Sequence, residues 1–412
     1  MFSPLISVCL CFLSLPWAFC LPTSSIPDPS TDFFYQPPSG FETRSPGTIL
    51  RQREINPAFF GLIPDPVDAY QLLYRTTAIN GSAIAAVTSV FVPSRPMNDR
   101  FISFHTAYDS ASVLCNPSYQ YQSGVAPTDG ISNLEFLVLQ RHLLQGYIVA
   151  APDHEGPDAA LGAGRLAGMM VLDGIRAVIN FGSALGFSNY TPAIVGEGYS
   201  GGAIATGWAA ALQASYAPEL NIKGWAQGGT PSNLTGTFLF LDNTTFSGFI
   251  PAAIDGLNKP SAYGSSLQPI LDQVITSKGQ ELLDYANTHC VPADLLHFPN
   301  DSMLSPEVQT LGPDLLEEPT IQSILNDNLL DGSEIPMAPM LVYHSIEDEI
   351  IPYSYIPALV DSWCSNDVSI QFISYESGGH VTGYVAGLGD TADFIESAFA
   401  GSLESGCSSD TK

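Results

Sequence analysis

Short apolar runs alternate with segments of helical periodicity in the middle of this 412-residue chain. Residues 147–152, 193–195 and 222–226 are apolar runs of strand length. Apolar residues recur at helical spacing within 166–179, and residues 201–214 are predicted to form a second helix. Parallel strands that are linked by helices are covered on both faces and have continuous apolar sequences. The alternation therefore predicts an α/β fold with a mostly parallel central sheet flanked by helices.

Strand-like sequences also lie on both sides of this region. Residues 70–79, 84–92 and 101–108 are β-rich and separated by turn residues, which predicts an antiparallel start to the sheet. Toward the C-terminus, the predicted elements are strand 340–343, strand 368–375 and helix 392–399. Residues 21–48 are rich in Pro, Ser and Thr, and we expect them to form an extended arm over the surface.

The alternation of strands and helices stops between residues 232 and 331. This segment contains many Pro and Leu residues and the apolar run 238–241. We interpret it as a cap inserted into a single core, whose two parts are residues 49–231 and 332–412.

The first 20 residues are apolar and contain no charged side chain, and a polar segment follows them. This pattern is typical of a signal peptide, so we expect the protein to be secreted to the extracellular space. A short membrane anchor is the alternative, because the usual Lys or Arg before the apolar run is missing. The sequence has no later run of about 18 apolar residues, so we expect no integral membrane segment beyond the leader.

The chain is strongly acidic, with 41 Asp and Glu residues against 13 Lys and Arg residues and a net charge of -28. Such a charge repels phosphate backbones and anionic membrane surfaces. We therefore expect no nucleic-acid partner.

Four cysteines remain once Cys9, Cys11 and Cys20 of the leader are set aside: Cys115, Cys290, Cys364 and Cys407. An even number of cysteines in a secreted protein indicates two disulfides, for which three pairings are possible. Neither the cysteines nor the histidines have the spacing of a metal site, so no metal ion is predicted. Five N-glycosylation motifs, which are typical of secreted proteins, begin at Asn80, Asn189, Asn233, Asn243 and Asn300.

The segment Gly198-Tyr199-Ser200-Gly201-Gly202 matches the pattern Gly-x-Ser-x-Gly, and no other part of the chain does. An apolar strand precedes it and a helix of small residues follows it, which is the context of a nucleophile elbow. A neutral serine hydroxyl is a poor nucleophile and needs a base that is oriented by an acid. Ser200 is therefore the candidate nucleophile, and the acid and the base are expected later in the chain.

Asp348 and His380 are the candidate acid and base. Asp348 follows the predicted strand 340–343, and the carboxyl ends of parallel strands carry the active sites of α/β sheets. We prefer it to Glu347 and Glu349, which could be solvated loop charges. His380 follows the next predicted strand and is the only histidine after the acid. The amide of Gly201 and a second donor from loop 108–110 are expected to form an oxyanion hole.

The chain resembles the fungal secretory lipases of the yeast lipase A type, within the α/β-hydrolase superfamily. The resemblance covers residues 50–407 and rests on segments 106–110, 115–119, 152–157, 173–177, 198–202, 348–353 and 379–380. It implies an α/β-hydrolase fold, a mainly helical cap above the serine with an acyl-chain tunnel, and a triad of Ser200, Asp348 and His380. It also implies that Asp109 joins Gly201 in the oxyanion hole, and that disulfides join Cys115 to Cys290 and Cys364 to Cys407.

These features predict a secreted carboxylic ester hydrolase that forms an acyl-enzyme and needs no cofactor. A triacylglycerol lipase is the favoured form, acting on lipid at a lipid–water interface. The alternatives are an esterase for a smaller soluble ester such as an acetylated secondary metabolite, a peptidase with the same triad, and a catalytically silent binding protein.

Overall fold

The computed structural model describes residues 26–188 and 191–412. The predicted signal peptide, residues 1–20, and the glycosylation motif at Asn189 lie outside the described residues. Among the residues described, no helix is both long and apolar enough to cross a lipid bilayer.

The strands are β1 (Ile49–Ile55), β2 (Ala58–Phe59), β3 (Ile63–Pro64), β4 (Asp68–Thr77), β5 (Ala83–Val92), β6 (Arg100–His105), β7 (Ile148–Pro152), β8 (Ala193–Tyr199), β9 (Ile222–Gly228), β10 (Met340–Ser345), β11 (Ile370–Tyr375) and β12 (Cys407–Thr411). The α-helices are α1 (Pro117–Gln120), α2 (Gly130–Gln145), α3 (Gly164–Asn180), α4 (Gly201–Tyr216), α5 (Leu234–Leu241), α6 (Phe249–Leu257), α7 (Gly264–Val274), α8 (Ser277–Ala286), α9 (Val291–His297), α10 (Pro319–Asp327), α11 (Ile356–Cys364) and α12 (His380–Ala400). Short 3-10 helices span Phe33–Tyr35, Phe41–Thr43, Val113–Cys115, Gly312–Glu317 and Tyr353–Tyr355.

One large sheet organises the molecule, with the strand order β1-β4-β5-β7-β6-β8-β9-β10-β11-β12. The pairs from β7 to β12 are all parallel, whereas β1, β4 and β5 join the sheet through antiparallel pairs. The predicted α/β fold with an antiparallel start and a mostly parallel sheet is confirmed. The order of the strands along the chain reverses at β6, which lies between β7 and β8 in the sheet. In open α/β sheets, ligands bind at such a reversal, outside the carboxyl ends of the strands.

Helices cover both faces of the sheet. On one face, α3, α4 and α11 bury apolar side chains such as Leu172, Trp208 and Trp363 against the strands. On the other face, α2 and α12 contribute Phe136 and Ile395 to a second apolar cluster. Because both faces are covered, the central strands β7 and β10 are buried along their whole length. This explains the continuous apolar sequences that predicted them.

Six helices, α5 to α10, lie between β9 and β10, in the segment where the alternation of strands and helices stops. Their apolar side chains pack among themselves and against the core, for example Leu241, Leu282 and Phe298 in one cluster. The segment is mainly helical, and it lies on the chain immediately after the carboxyl end of β9.

Helix α12 begins much earlier than the predicted helix 392–399. It starts at His380 and includes a glycine-rich stretch that has low intrinsic helix propensity. The glycines allow close packing, since a Cβ atom at Gly387 would overlap the ring of Tyr343 on β10. Tertiary contact therefore overrides local propensity here. Strand β1, helix α2, helix α11 and strand β12 were likewise not predicted.

The N-terminal arm is less extended than predicted, because two 3-10 helices fold it onto the sheet. Phe34 packs in a small apolar cluster with Leu73 and Val87 on β4 and β5. The Arg53 guanidinium donates a 2.6 Å hydrogen bond to the Asp32 carboxylate.

The structure contains the two disulfides that the resemblance implies, Cys115–Cys290 and Cys364–Cys407. The first joins the segment after β6 to the start of α9, across 175 residues of sequence. The second joins the end of α11 to β12, across 43 residues. The longer closed loop removes more conformational entropy from the unfolded chain, so the chain-entropy model makes the first bond more stabilising by about 1 kcal/mol.

We therefore expect a Cys115→Ala/Cys290→Ala variant to lose more unfolding free energy than a Cys364→Ala/Cys407→Ala variant. Loss of a native disulfide from a secreted domain costs about 2–5 kcal/mol. Guanidinium denaturation of both variants and of the parent measures the difference. An equal or larger loss in the Cys364→Ala/Cys407→Ala variant would contradict the ranking.

Candidate active site

Ser200 lies in the turn between β8 and α4, with φ of 54° and ψ of −123°. This conformation is rare for a residue with a side chain, costs about 1–3 kcal/mol, and persists where surrounding structure enforces it. The motif glycines allow the close packing that holds Ser200 in this conformation, because a larger residue would not fit. A Cβ atom at Gly198 would overlap the carbonyl oxygen of Gly202. A Cβ atom at Gly202 would overlap the carbonyl oxygen of His105, at the end of β6. The turn therefore fixes Ser200 at the carboxyl edge of the sheet, where the chain order reverses.

The structure brings the three predicted residues Ser200, His380 and Asp348 together in one chain of hydrogen bonds. Nε2 of His380 is 2.8 Å from Oγ of Ser200, and Nδ1 of His380 is 2.7 Å from Oδ2 of Asp348. All three side chains are buried. A hydroxyl that contacts an imidazole, itself oriented by a carboxylate, can lose its proton to the imidazole as it attacks an electrophile.

The carboxylate of Asp348 is held by several donors. Its Oδ1 atom accepts hydrogen bonds from the backbone amides of Ile350 and Ile351, at 2.9 and 2.7 Å. Nε2 of His344 is 3.2 Å from its Oδ2 atom. Burial alone would raise the pKa of Asp348, but hydrogen bonds from His344 and His380 hold that pKa below its usual range. Asp348 therefore stays ionised and favours a proton on Nδ1 of His380.

The neighbouring carboxylates are placed differently. Glu349 accepts a 2.8 Å hydrogen bond from the backbone amide of His380, so it fixes the start of α12 rather than the imidazole ring. Glu347 is exposed to solvent. Of these three carboxylates, Asp348 is therefore the one that contacts the imidazole of His380, and it is the residue that the sequence favoured.

Tyr199 supports His380 and was missed by the sequence analysis. Its hydroxyl donates a 2.6 Å hydrogen bond to the carbonyl oxygen of His380. Its ring lies 4.9 Å from the imidazole and stacks at 4.4 Å on Tyr384 of α12. The only signal in the sequence was an aromatic residue at the variable position before the serine. His344 was also missed, because it directly follows the predicted strand 340–343 and has no distinguishing spacing.

Asp109 lies directly against Gly201, as the resemblance implies. A Cβ atom on Gly201 would overlap Oδ1 of Asp109, so the carboxyl group touches the first residue of α4. Asp109 has a positive φ of 45°. The first amides of a helix have no partner within the helix, and they form a natural site for negative charge. The side chain of Asp109 therefore lies beside the first residue of α4, directly after Ser200.

Two buried glutamates hold the loop that carries Asp109. Glu135 of α2 accepts a 2.6 Å hydrogen bond from the amide of Ala107. Glu155 lies 3.4 Å from the amide nitrogen of Ser110, and its own amide donates to the Tyr108 hydroxyl at 2.7 Å. Neither anchoring role was predicted. Glu155 belongs to the Asp-His-Glu run 153–155 after β7, whereas no motif distinguished Glu135.

Buried carboxyl groups surround this loop. Burial raises the pKa of Asp109, Asp129 and Asp153 to about 7. Burial also raises the pKa values of Glu135 and Glu155 well above their usual range. These five groups are therefore uncharged in mildly acidic solution, and each can then be buried without an opposing cation.

A cavity of about 140 Å³ opens onto Ser200. Its core side includes Asp109, Leu161 and Ile204, and the cap contributes side chains from α5, α6, α7 and α10. Of its lining residues, Asp109, Ser200 and Thr237 carry polar side chains, and the rest are apolar or glycine. The cavity therefore favours an apolar chain over a charged or strongly hydrated ligand.

Four glycosylation motifs lie among the described residues. Asn80, Asn243 and Asn300 are exposed, and Asn233 is half-buried. The Asn233 side chain caps α5 by accepting a 2.9 Å hydrogen bond from the amide of Gly236. Glycosylation at these positions remains a prediction.

Comparison with known proteins identifies similar chains over most of the sequence. The family model described as secretory lipase matches residues 123–406. A secreted triacylglycerol lipase of Malassezia furfur is 39% identical over 386 residues, which is 92% of this chain and 78% of the relative. One from Malassezia globosa is 37% identical over 356 residues, which is 85% of this chain and 77% of the relative.

Solved structures of a lipase and an esterase are also similar to this chain. Candida antarctica lipase A in its closed state has a TM-score of 0.85 and 32% identity, covering 92% of this chain and 88% of that chain. The rice cell wall degrading esterase LipA of Xanthomonas oryzae has a TM-score of 0.63 at 14% identity, covering 86% and 98%, and supports the fold alone. The sheet, the strained serine turn and these neighbours define an α/β-hydrolase. The family model and the relatives further show that the chain belongs to the secretory lipase family, as the sequence motifs predicted.

The buried carboxyls predict how stability depends on pH. Their pKa values are raised in the folded state, whereas acids in the unfolded chain ionise near pH 4. Between about pH 4 and pH 7 these five carboxyls therefore bind more protons in the folded state, and their contribution to the unfolding free energy falls as pH rises. The pKa of Asp348 is lowered, and the pKa of Glu197 on β8 is lowered to about 2. The stability that these two ionised carboxylates give to the folded state is therefore lost as pH falls below about 4.

We expect the urea midpoint to be highest near pH 4–5 and to decrease steadily toward pH 7. An Asp153→Asn variant, which cannot ionise, should show a shallower decrease than the parent. Denaturation followed by circular dichroism from pH 3 to pH 8 measures both curves. A midpoint that rises from pH 5 to pH 7 in the parent would refute this assignment.

Proposed function

We propose that the protein is a secreted triacylglycerol lipase in which Ser200 is the nucleophile, His380 the general base and acid, and Asp348 the orienting acid. The observation that carries the proposal is the hydrogen-bonded chain Ser200–His380–Asp348 at an apolar cavity. Membership of the secretory lipase family supports it.

The proposed reaction starts with proton transfer from Oγ of Ser200 to Nε2 of His380, over a distance of 2.8 Å. Oγ attacks the ester carbonyl carbon, and the carbonyl oxygen becomes an oxyanion that accepts hydrogen bonds from the Gly201 and Asp109 amides. The tetrahedral intermediate then collapses, and His380 returns its proton to the departing alkoxide. An alcohol leaves, and the acyl group remains on Ser200.

Deacylation repeats these steps with water. His380 removes a proton from a water molecule, which attacks the acyl carbon. The bond to Oγ of Ser200 then breaks, His380 returns the proton to Oγ, and the carboxylic acid leaves. Asp348 holds the Nδ1 proton and stabilises the imidazolium through each transfer. The ionised state of Asp348, favoured by hydrogen bonds from the Ile350 and Ile351 amides and from His380 and by the nearby His344, is what this role requires.

A lipid ester is the favoured substrate. The acyl chain would occupy the apolar cavity, whose walls offer few partners to a polar ligand. The relatives from Malassezia furfur and Malassezia globosa are named secreted triacylglycerol lipases. A small acetylated metabolite would leave most of this apolar surface unfilled, so the soluble-ester alternative is not favoured.

Extracellular location follows the same relatives, which are named as secreted proteins. Two disulfides agree with an oxidising compartment. The apolar leader, residues 1–20, is the proposed secretion signal.

A Ser200→Ala variant should lose at least about 10³-fold in kcat on p-nitrophenyl butyrate, p-nitrophenyl palmitate and emulsified triolein, because no nucleophile remains. The matched control is Ser354→Ala, an exposed serine in the 3-10 helix Tyr353–Tyr355, which should keep full activity. If the parent hydrolysed only short soluble esters, the lipase function would be excluded. Full activity in Ser200→Ala would exclude Ser200 as the nucleophile.

Asp348→Asn should lower kcat by about 10⁴-fold with little change in KM, because the imidazole loses its charged partner and its tautomer control. Glu347→Gln is the matched control, since this exposed carboxylate lies next to Asp348 in sequence. Steady-state kinetics on p-nitrophenyl butyrate compare the two variants. A large loss in Glu347→Gln with a small loss in Asp348→Asn would mean that the acid is misassigned.

A further inference from the structure

Helices α2 and α12 expose apolar side chains beside the candidate active site. Leu134 and Leu137 on α2 are 59% and 46% exposed. Val381 and Val385 on α12 are 66% and 62% exposed. Ile346, in the loop that leads to Asp348, is 44% exposed. We call these five side chains the α2–α12 face.

Two side-chain contacts link the helices and show that their N-terminal ends lie at the same end of the pair. Glu135 near the start of α2 is hydrogen-bonded to Tyr384 near the start of α12. Further along both helices, Arg141 donates a 2.8 Å hydrogen bond to the carbonyl oxygen of Leu388. The apolar pairs lie within one turn of the Glu135–Tyr384 contact along each helix, which places both pairs at the same end of the two helices.

This surface is continuous with the edge that carries the reacting groups. Val381 directly follows His380, and Glu135 also holds the loop of Asp109 through the amide of Ala107. The end of β10 is packed against α12, since a Cβ atom at Gly383 would lie 3.1 Å from Cβ of Ser345. Ile346 therefore adjoins the start of α12.

The helical part of the face lacks the charge that dominates the rest of the chain, whereas the exposed Glu347 adjoins Ile346 at its border. The protein has 41 acidic residues, yet the single acid of α2, Glu135, is buried. Residues 380–389, the first half of α12, contain no Asp, Glu, Lys or Arg. Arg141 pairs with Glu197 at 2.6 Å and adds no free charge. Acidic residues begin again at Asp390, in the second half of the helix.

We propose that the α2–α12 face docks the protein onto an uncharged lipid surface. The proposal rests on the proposed lipase function, and it names the surface that presents the site to aggregated substrate. Exposed Leu and Val side chains gain free energy on leaving water for an acyl layer. A net charge of -28 opposes anionic lipid, so the partner is a neutral surface such as a triacylglycerol droplet or phosphatidylcholine.

The test uses the full chain carrying Ser200→Ala, so that the lipid is not consumed. Binding to triolein droplets coated with phosphatidylcholine is measured by flotation, with and without Leu137→Glu/Val385→Glu. We expect this pair to weaken partitioning at least tenfold. The matched control, Leu239→Glu/Leu296→Glu, adds the same charges to exposed positions on the cap helices α5 and α9 and should change partitioning less than twofold.

Several outcomes would overturn the proposal. The first is loss of binding in the cap control but not in the α2–α12 variant. The second is tighter binding to phosphatidylserine vesicles than to phosphatidylcholine vesicles. The third is a change from dimer to monomer in sedimentation with unchanged partitioning, which would make the face a contact between two copies.

A parallel assay separates docking from chemistry. With Ser200 present, Leu137→Glu/Val385→Glu should hydrolyse dissolved p-nitrophenyl butyrate at the parental rate and lose at least tenfold on emulsified triolein. This pattern shows that the variant is folded and that its defect is at the surface. Equal losses on both substrates would contradict docking, whereas an inactive parent with normal flotation would contradict the proposed function alone.

Discussion

The close approach of β6, β8 and α4 is the constraint on which the candidate site depends. Gly198 and Gly202 let backbone meet backbone there, and the turn between them forces Ser200 into a conformation that side chains seldom adopt. The strain costs free energy, which the paired strands and α4 offset. Its result is a serine hydroxyl at the sheet edge, beside the free amides at the start of a helix.

The carboxyl groups around this turn are sorted by their surroundings. Asp348 has two amide donors and two histidines, so it remains ionised in spite of burial. Glu135 and Glu155 are also hydrogen-bonded to amides, but burial dominates and raises their pKa values. The same functional group therefore orients a base in one place and, uncharged, anchors the Asp109 loop in another. Both arrangements are compatible with mildly acidic surroundings.

The sequence was most informative where chemistry and periodicity agreed. Ser200, Asp348 and His380 could be found because each follows an apolar strand, and parallel strands bring their carboxyl ends to one edge. Tyr199, His344 and Glu135 could not be found in this way, because their roles depend on contacts between distant segments. The early start of α12 was hidden by glycines that pack against Tyr343, and strand β12 has exposed, polar residues without alternation. The cap helices were not predicted individually, because they are short and several of them contain Pro.

Covalent labelling of the serine tests the central claim most directly. The protein is treated with diethyl p-nitrophenyl phosphate, which transfers a diethylphosphoryl group to activated serines, and its peptides are then mapped by mass spectrometry. The account predicts one adduct, on Ser200, which forms in proportion to the loss of esterase activity and forms much more slowly in His380→Ala. Complete inactivation with the adduct on another residue, or esterase activity that persists after Ser200 is fully labelled, would contradict it.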